Sequence, residues 1–162
     1  MAAKVSIGDR LLQRWRLLTG IPGGRWLFSR LLARRVPYSG SIGARIIVLE
    51  PGYARIELPD RRRLRNHLDS IHAVALANLA ELVSGLAMMA ALPTGLRAIV
   101  TTLHIDYLKK ARGTLVAESR CRLPDRQAEL GEAIDHKVTA VIVDGDHDIV
   151  ATAEICWRLG SA

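Results

Sequence analysis

The spacing of apolar residues predicts two amphipathic helices near the start of the chain. Over residues 8–19, leucines and a tryptophan recur at helical spacing with arginines between them, and a segment rich in glycine and proline ends that helix. A second amphipathic helix is predicted over residues 26–35, before Pro37. We interpret residues 1–40 as a helical N-terminal extension of a single domain that covers residues 41–162.

Strand patterns follow, two of them before the longest apolar segment of the chain and three or four after it. That apolar segment predicts a helix over residues 70–92, which Pro93 ends. Its burial requires a sheet that curls around it, so the predicted fold class is α+β, with one antiparallel sheet wrapped around a long central helix. Short polar connections, including 109–113 and 124–126, predict a meander for the last strands. The predicted strands cover residues 42–49, 53–58, 98–108, 115–123, 133–143 and 149–159.

Composition narrows the class of protein. The chain has 162 residues, enough for one domain, and 49% of them are hydrophobic. His72, Asn78 and Glu81 interrupt the longest apolar run, which predicts a buried helix of a soluble protein rather than a membrane span. The two cysteines, Cys121 and Cys156, have no metal-binding or disulfide-type spacing, which favours a reducing compartment such as the cytoplasm.

Positive charge is concentrated in the N-terminal part of the chain. Residues 1–65 contain 14 of the 23 Lys and Arg residues but only 4 of the 16 Asp and Glu residues. Such a surface suits nucleic acid, an anionic membrane or a phosphorylated ligand. The low aromatic content of 4% argues against stacking of nucleic-acid bases. Peripheral membrane contact through the N-terminal helices and binding of a phosphorylated ligand stay open.

The apolar helix contains one carboxylate, Glu81, and no Lys or Arg occurs over residues 66–92 to neutralise it. Loss of hydration should raise the pKa of this carboxyl group, which would make it a stronger base near neutral pH. It could attack a carbonyl carbon directly or activate a water molecule. The alternative is a carboxylate at a dimer interface, paired with an arginine from elsewhere.

The polar residues around this helix resemble those of the hotdog fold, and in particular the thioesterases of the phenylacetate-degradation (PaaI-like) group. That group reads Asn-x-x-x-x-x-His-Gly-Gly, with an acidic residue nine positions after the histidine. Here Asn66 lies six positions before His72, and Glu81 lies nine positions after it. The segment 107–113, Tyr-Leu-Lys-Lys-Ala-Arg-Gly, is similar to the group's Tyr-Leu-x-Pro-Ala-Arg-x-Gly, shortened by one position. Ala73 and Val74 replace the two glycines, and Lys110 stands where proline is common.

The resemblance implies a thioester hydrolase that acts on acyl-coenzyme A or acyl-carrier thioesters. Glu81 would be the general base or nucleophile and Asn66 a positioning residue, while the backbone N–H of Ala73, in the first helical turn, would stabilise the oxyanion. His72 would hold the thioester or the loop by a hydrogen bond. Each has a structural alternative: Asn66 as a turn residue, and His72 as a residue at the helix start bonded to a backbone carbonyl.

Further substrate-binding residues are predicted around this centre. Asn78 shares a helix face with Glu81 and either supports it or bridges the helix to a strand. Thr101 and Thr102 lie in the strand where related enzymes place a hydroxyl group. Lys109, Lys110 and Arg112 are candidates for the phosphates of coenzyme A. The alternative phosphate ligands are Arg61, Arg62, Arg63 and Arg65.

No metal site and no cofactor other than coenzyme A, as part of the substrate, is predicted. Residues 144–148 imitate the start of an EF-hand, but Ile149 and Ile155 stand where the Gly and Glu of that motif are required. The resemblance also implies a homodimer or a dimer of dimers. Independently, a curled sheet leaves edge strands that need cover, which favours association as well. A non-catalytic hotdog module that binds an acyl chain or acts as a scaffold, with its entrance narrowed by Val74, is the alternative to the enzyme. A dehydratase or hydratase is less favoured, because its His/Asp pairing is not apparent.

Overall fold

The described residues form six strands and four α-helices, and the order of these elements follows the predicted one. The computed structural model describes residues 6–123 and 133–161, so the predicted connection at 124–126 lies outside the described residues. Most predicted elements agree with the observed ones to within a few residues, whereas the four-residue helix α3 was not predicted. The elements are α1 (Ile7–Thr19), α2 (Gly24–Arg35), α3 (Pro37–Gly40), β1 (Arg45–Glu50), β2 (Tyr53–Leu58), a 3₁₀ turn (Arg62–Leu64), α4 (Ala73–Ala91), β3 (Leu96–Tyr107), β4 (Leu115–Arg120), β5 (Ile134–Val143) and β6 (Ile149–Ser161).

The strands form one antiparallel sheet in the order β1-β2-β4-β5-β6-β3. The prediction of a simple meander was wrong for β3, which pairs with β6 instead of β4. The connection after β3, residues 108–114, can join distant strands because it crosses the end of the curled sheet beneath the start of α4. There the carbonyl of Ala111 accepts hydrogen bonds from the N–H of Ile71 at 2.8 Å and the hydroxyl of Ser70 at 3.1 Å.

Helix α4 is the centre of the core. Leu79, Val83 and Met88 are fully buried on it, facing buried residues of the sheet such as Ile56 and Ile155. By length and composition alone, with a mean hydropathy of 1.7, this helix would suit a membrane span, but 61% of the stretch that meets this test is buried inside the protein. Burial of such side chains contributes about 1.5–3 kcal/mol each, so α4 and the sheet form one cooperative unit.

Helix α1 packs against α4, whereas α2 packs against α1 and β1. Trp15 of α1 and Phe28 of α2 are both buried, and their rings meet edge to face at 5.1 Å. Gly8 lets α1 approach the end of α4, since an added Cβ would lie 2.6 Å from the carbonyl oxygen of Met89. These helices therefore belong to the same core as the sheet.

The buried hydroxyl group of Ser29 links α2 to β1 by hydrogen bonds, and its removal tests this packing. The Ser29 hydroxyl donates to the carbonyl of Arg25 at 2.8 Å and accepts the N–H of Ile46 at 2.9 Å. Because Ser29→Ala leaves a buried N–H without a partner, we expect a loss of about 1–3 kcal/mol in the free energy of unfolding. Urea denaturation measures it, with Ser41→Ala, at an exposed serine, as the control. Equal stability of the two variants would contradict this role of Ser29.

Candidate active site

The turn before α4 is formed by Asn66. Its side-chain oxygen accepts the backbone N–H of Leu68 at 2.9 Å and that of Ser70 at 3.3 Å. Asn favours such turns because its short amide can replace a backbone acceptor. Of the two interpretations of Asn66, the structure shows the turn, and this bonding also fixes the amide group at the edge of a cavity beside the helix start.

His72 is the N-cap of α4. Its backbone is extended, with φ −63° and ψ 138°, and its Nδ1 accepts the N–H of Val74 at 3.1 Å. The acceptor role requires an unprotonated Nδ1, which leaves Nε2 as the nitrogen that carries the proton. The predicted structural alternative bonded His72 to a backbone carbonyl: its backbone N–H donates to the carbonyl of Leu64 at 2.8 Å, whereas its side chain accepts an N–H group. His72 thus organises the helix start and keeps Nε2 exposed.

A cavity of about 340 Å³ opens at this helix start. Ala73 and Asn66 line it together with the loop after β3, including Lys110. The hydroxyl of Tyr107 donates to the carbonyl of Ala73 at 3.1 Å and so holds the end of β3 against the helix. The N–H of Ala73 lies in the first turn, where helical geometry supplies no acceptor and the helix dipole is positive. The N–H of Ala73 therefore has no acceptor from the helix, and its residue lines the cavity.

Glu81 lies further along α4, half-buried beneath α3. The hydroxyl of Ser39 donates to its Oε2 at 3.5 Å, and no Lys, Arg or His of residues 6–123 and 133–161 forms an ion pair with it. Burial raises the pKa of the Glu81 carboxyl group, and the Ser39 hydrogen bond lowers it by less. The predicted alternative was a carboxylate at a dimer interface that pairs with an arginine; no arginine of the described residues pairs with Glu81 within one protomer.

Asn78 connects α4 to α3. Its Nδ2 donates to the carbonyl of Tyr38 at 3.3 Å, while its buried Oδ1 has no hydrogen-bond partner within the described chain. The bridge thus runs from helix to helix, whereas a bridge from helix to strand was predicted as one alternative. Ser39 and Tyr38 were missed by sequence reasoning, because Pro37 was interpreted only as the end of the preceding helix. Proline at the first position of a helix is itself a known start signal.

The predicted catalytic groups fall into two places on one protomer. Asn66 and Ala73 line the cavity at the helix start and His72 is the N-cap there, whereas Glu81 is eight residues beyond Ala73. At 1.5 Å per residue, this separates the two by about 12 Å along the helix. A single carbonyl group cannot contact both of them within one protomer.

The basic loop after β3 is largely engaged in structural contacts. Lys109 forms ion pairs with the carboxylates of Asp144, at 2.9 Å, and Asp148. The hydrogen bonds to these two carboxylates also raise the pKa of Lys109. Arg112 donates to the backbone carbonyls of Asp69 and Leu68. Lys110 is exposed and lines the cavity at the helix start. Of the three predicted phosphate ligands, only Lys110 has no ion pair or side-chain hydrogen bond within the described chain.

The alternative basic segment divides in the same manner. Arg65 forms a bidentate pair with Asp60, at 2.8 and 3.0 Å, which holds the pKa of that carboxyl group below its usual value. Arg62 lies in the 3₁₀ turn and is exposed. Arg61 and Arg63 line a separate cavity beside α2. In the two predicted basic segments, therefore, some lysine and arginine side chains have carboxylate partners among the described residues and others have none.

Thr101 and Thr102 lie at a bulge of the edge strand β3. Thr101 donates to the carbonyl of Cys156 at 3.3 Å, and both threonines are exposed. Five residues separate Thr102 from Tyr107, or about 17 Å of extended strand. In one protomer, the threonines are therefore not part of the cavity at the helix start.

The acidic turn after β5 is closed by its own contacts. Oδ1 of Asp144 accepts the N–H groups of Asp146 and Asp148, and Lys109 crosses over from the neighbouring loop. Within residues 6–123 and 133–161, no group of three His, Cys, Asp or Glu side chains is arranged to hold a metal ion.

Burial of Glu81 should make stability depend on pH. Because the pKa is raised in the folded state, the folded protein binds this proton more tightly, and stability falls as pH rises above the ordinary value of 4.5. Glu81→Gln removes the ionisation, so we expect its unfolding temperature to gain on that of the wild type between about pH 4 and about pH 8. Thermal scans measure the difference, with Glu50→Gln, at an exposed site, as the control. A constant offset at all pH values would contradict the raised pKa.

The fold and the family can now be stated. Six antiparallel strands curled around one long helix make this a hotdog-fold protein, as the sequence resemblance predicted. The chain belongs to the family described as Domain of unknown function (DUF4442), whose model matches residues 24–159.

The chain is also similar to one curated protein and to three solved structures. The chain is 32% identical to a Halobacterium salinarum protein named "Putative esterase", in an alignment of 83 residues that covers 48% of this chain and 55% of that protein. A Pseudomonas aeruginosa structure named "Probable Thioesterase" is 25% identical, with a TM-score of 0.74 over 88% of this chain and 97% of that one.

Two more distant structures share the fold. The Escherichia coli PaaI protein of the phenylacetic acid degradation operon is 19% identical, with a TM-score of 0.65 over 97% of this chain and 96% of that one. A Streptococcus mutans protein solved with bound acetyl-CoA is 20% identical, with a TM-score of 0.60 over 72% of this chain and 87% of that one.

Proposed function

We propose that this protein hydrolyses thioesters of acyl-coenzyme A or an acyl carrier, with Glu81 as the general base or nucleophile. The observation that carries the proposal is a carboxylate that is half-buried in the central helix, has a raised pKa and forms no ion pair within the described chain. The names of the similar Halobacterium and Pseudomonas proteins, an esterase and a thioesterase, support the reaction class. The acetyl-CoA bound by the Streptococcus protein supports the substrate class. Assay of thiol release from a panel of acyl-CoA thioesters, with Glu81→Gln beside the wild type, tests it.

The chemistry needs a base, an oxyanion donor and a way to release the thiol. If Glu81 acts as base, it takes a proton from water while the water oxygen bonds to the acyl carbon. The carbonyl oxygen gains negative charge, which the N–H of Ala73 would stabilise. Cleavage of the C–S bond then releases the thiolate, which takes up the proton from Glu81. If Glu81 acts as nucleophile, its oxygen bonds to the acyl carbon and the C–S bond breaks, which releases the thiolate. Water then hydrolyses the resulting anhydride to the free acid and the Glu81 carboxylate, and the proton lost by the water passes to the thiolate.

A homodimer would bring the separated groups together. Four apolar residues of β3 lie opposite buried residues of β6 and so point to the inner face of the sheet, yet all four remain partly exposed at the edge. They are Val100, Leu103, Ile105 and Tyr107. A long apolar edge strand requires a covering partner. We therefore propose that β3 edges pair in a homodimer, which could associate further into a dimer of dimers. Glu81 of one protomer would then meet the helix start of the other.

The non-catalytic alternative depends on an obstructed entrance. Val74 is 56% exposed, and it lines a cavity with Asn78 and Tyr38 on the α3 side of the helix start. It is not among the residues around the Ala73 cavity. This geometry favours the hydrolase over a module whose entrance Val74 narrows.

Membrane contact and a cytoplasmic location stay predictions of the sequence. Between α1 and α2, Leu17 and Leu31 are exposed beside Arg14 and Arg35, around an apolar groove of about 480 Å³. Such a surface is compatible with peripheral contact to anionic lipid.

A further inference from the structure

A second large cavity, of about 500 Å³, lies between α2, the segment before β1 and the 3₁₀ turn. Five arginines line this cavity, which we call the arginine pocket, and its described lining contains no Asp or Glu. Trp26 forms part of its wall. The arginines are Arg30, Arg34, Arg45, Arg61 and Arg63.

The charge of the arginine pocket is mostly uncompensated. Among the described residues, only Arg45 of the five pairs with a carboxylate, that of Glu57 at 3.4 Å, and this pair is largely open to solvent. The neighbouring Arg65 differs, since it is held in a bidentate pair with Asp60. Elsewhere, Lys109 and Arg158 also have carboxylate partners. Four of the five guanidinium groups around this cavity therefore have no carboxylate partner among the described residues.

The fold directs these side chains to one place. Trp26, Arg30 and Arg34 recur every four residues, which puts them on one face of α2. Two like charges four residues apart weaken a helix, so this spacing gives α2 no stability. The segment before β1 contributes Gly43, where φ is 69°, to the opposite wall of the pocket. An added Cβ there would collide with the guanidinium of Arg61 and lie 2.9 Å from Nη2 of Arg63. The glycine thus leaves room for two guanidinium groups side by side.

We propose that the arginine pocket binds a ligand with two or more phosphate groups and, on the basis of the proposed function, that this ligand is the nucleotide end of acyl-coenzyme A. Guanidinium groups match phosphate oxygens in bidentate geometry and keep their charge at all physiological pH values. The volume lies within the range of small-molecule sites. The ring of Trp26, with Arg30 stacked 5.1 Å from its centroid, offers an aromatic surface beside the phosphates for a nucleobase.

The position of the arginine pocket fits the proposed chemistry. Pro37 and Gly40 of α3 line the pocket, and Ser39 of the same short helix bonds Glu81. The phosphates and the reacting carboxylate would thus lie on two sides of α3, and the flexible pantetheine arm would connect them. The loop with Lys109 and Arg112, whose polar groups are already bonded, is less suited to phosphates.

The test compares ligand binding in two double variants of equal net charge. Arg61→Gln/Arg63→Gln removes two guanidinium groups from the pocket, whereas Arg10→Gln/Arg16→Gln removes two exposed ones from α1. We expect calorimetric titration with coenzyme A and with adenosine 3′,5′-diphosphate to show at least about tenfold weaker binding for the pocket variant, the scale of lost charge-assisted hydrogen bonds. The control should bind as the wild type does, and pantetheine should bind weakly to all three.

Every other outcome overturns the assignment. Equal weakening in both variants would mean non-specific attraction, and unchanged binding in the pocket variant would place the nucleotide elsewhere. Tighter binding of anionic lipid vesicles than of coenzyme A, lost only in the pocket variant, would assign the arginines to a lipid headgroup. Because binding is measured without turnover, the two proposals can fail separately. Hydrolysis with an unchanged KM in the pocket variant refutes the pocket alone, and binding without hydrolysis refutes the hydrolase alone.

Discussion

Replacement of Glu81 by glutamine is expected to lower the kcat for acyl-CoA hydrolysis by about 10²- to 10⁴-fold, the usual contribution of general-base catalysis. Glutamine has nearly the same size and can still accept the hydrogen bond from Ser39, which is 3.5 Å from Oε2 in the wild type. It cannot take a proton from water or form an anhydride. The loss should therefore appear in kcat, with little change in KM or in the folded structure.

The control for this substitution is Glu50→Gln, which removes the same charge from an exposed position at the end of β1. Circular dichroism checks that both variants remain folded. Full turnover in Glu81→Gln would refute the assignment of Glu81. The pH profile adds a second check: activity of the wild type should rise as the carboxyl group ionises, with an apparent pKa above the ordinary 4.5, because burial opposes the charged form.

Substitution of Leu103 by lysine should convert a dimer into monomers and abolish most of the hydrolysis. Leu103 is 36% exposed on the inner side of the edge strand, opposite the buried Ile155. A protomer alone tolerates a lysine there because the ammonium group can reach water, whereas a closed interface would bury it. Activity should fall together with the dimer, since about 12 Å separates Ala73 from Glu81 within one protomer.

The matched control is His104→Lys, at the next residue of the same strand. His104 lies opposite the exposed Glu154, on the outer face of the sheet, where an added charge stays in solvent. Light scattering coupled to gel filtration measures the mass of each variant. A dimeric Leu103→Lys protein would refute the β3 interface, and a fully active monomer would refute a shared site.

Local patterns predicted most of the fold. The buried run of α4 contrasts with the polar segments on either side, and β2 and β4 alternate strictly between the two faces of the sheet. Such periodicity depends only on neighbouring residues, which is why those elements could be predicted. The position of β3 beside β6 depends on pairing between segments about fifty residues apart, and no local pattern contains that information.

The site was predictable in its residue types but only partly in its geometry. Glu81 stood out because a carboxylate is costly in an apolar helix. The turn at Asn66 was one of the predicted alternatives, and the cap at His72 was close to one, since both are local contacts. Ser39 could not be found in the same way, because α3 meets α4 only after the chain has folded back over 42 residues.

The sequence by itself determined the elements, the apolar central helix and the presence of one unneutralised carboxylate on it, because hydrophobic period and local charge are properties of the chain. Only the tertiary structure decided which basic side chains keep their charge available. Lys109 and Arg65 find carboxylates across loops, whereas Arg61 and Arg63 meet the arginines of α2 around a cavity. Electrostatic pairing depends on distance in space, and chain segments far apart in sequence supply the partners.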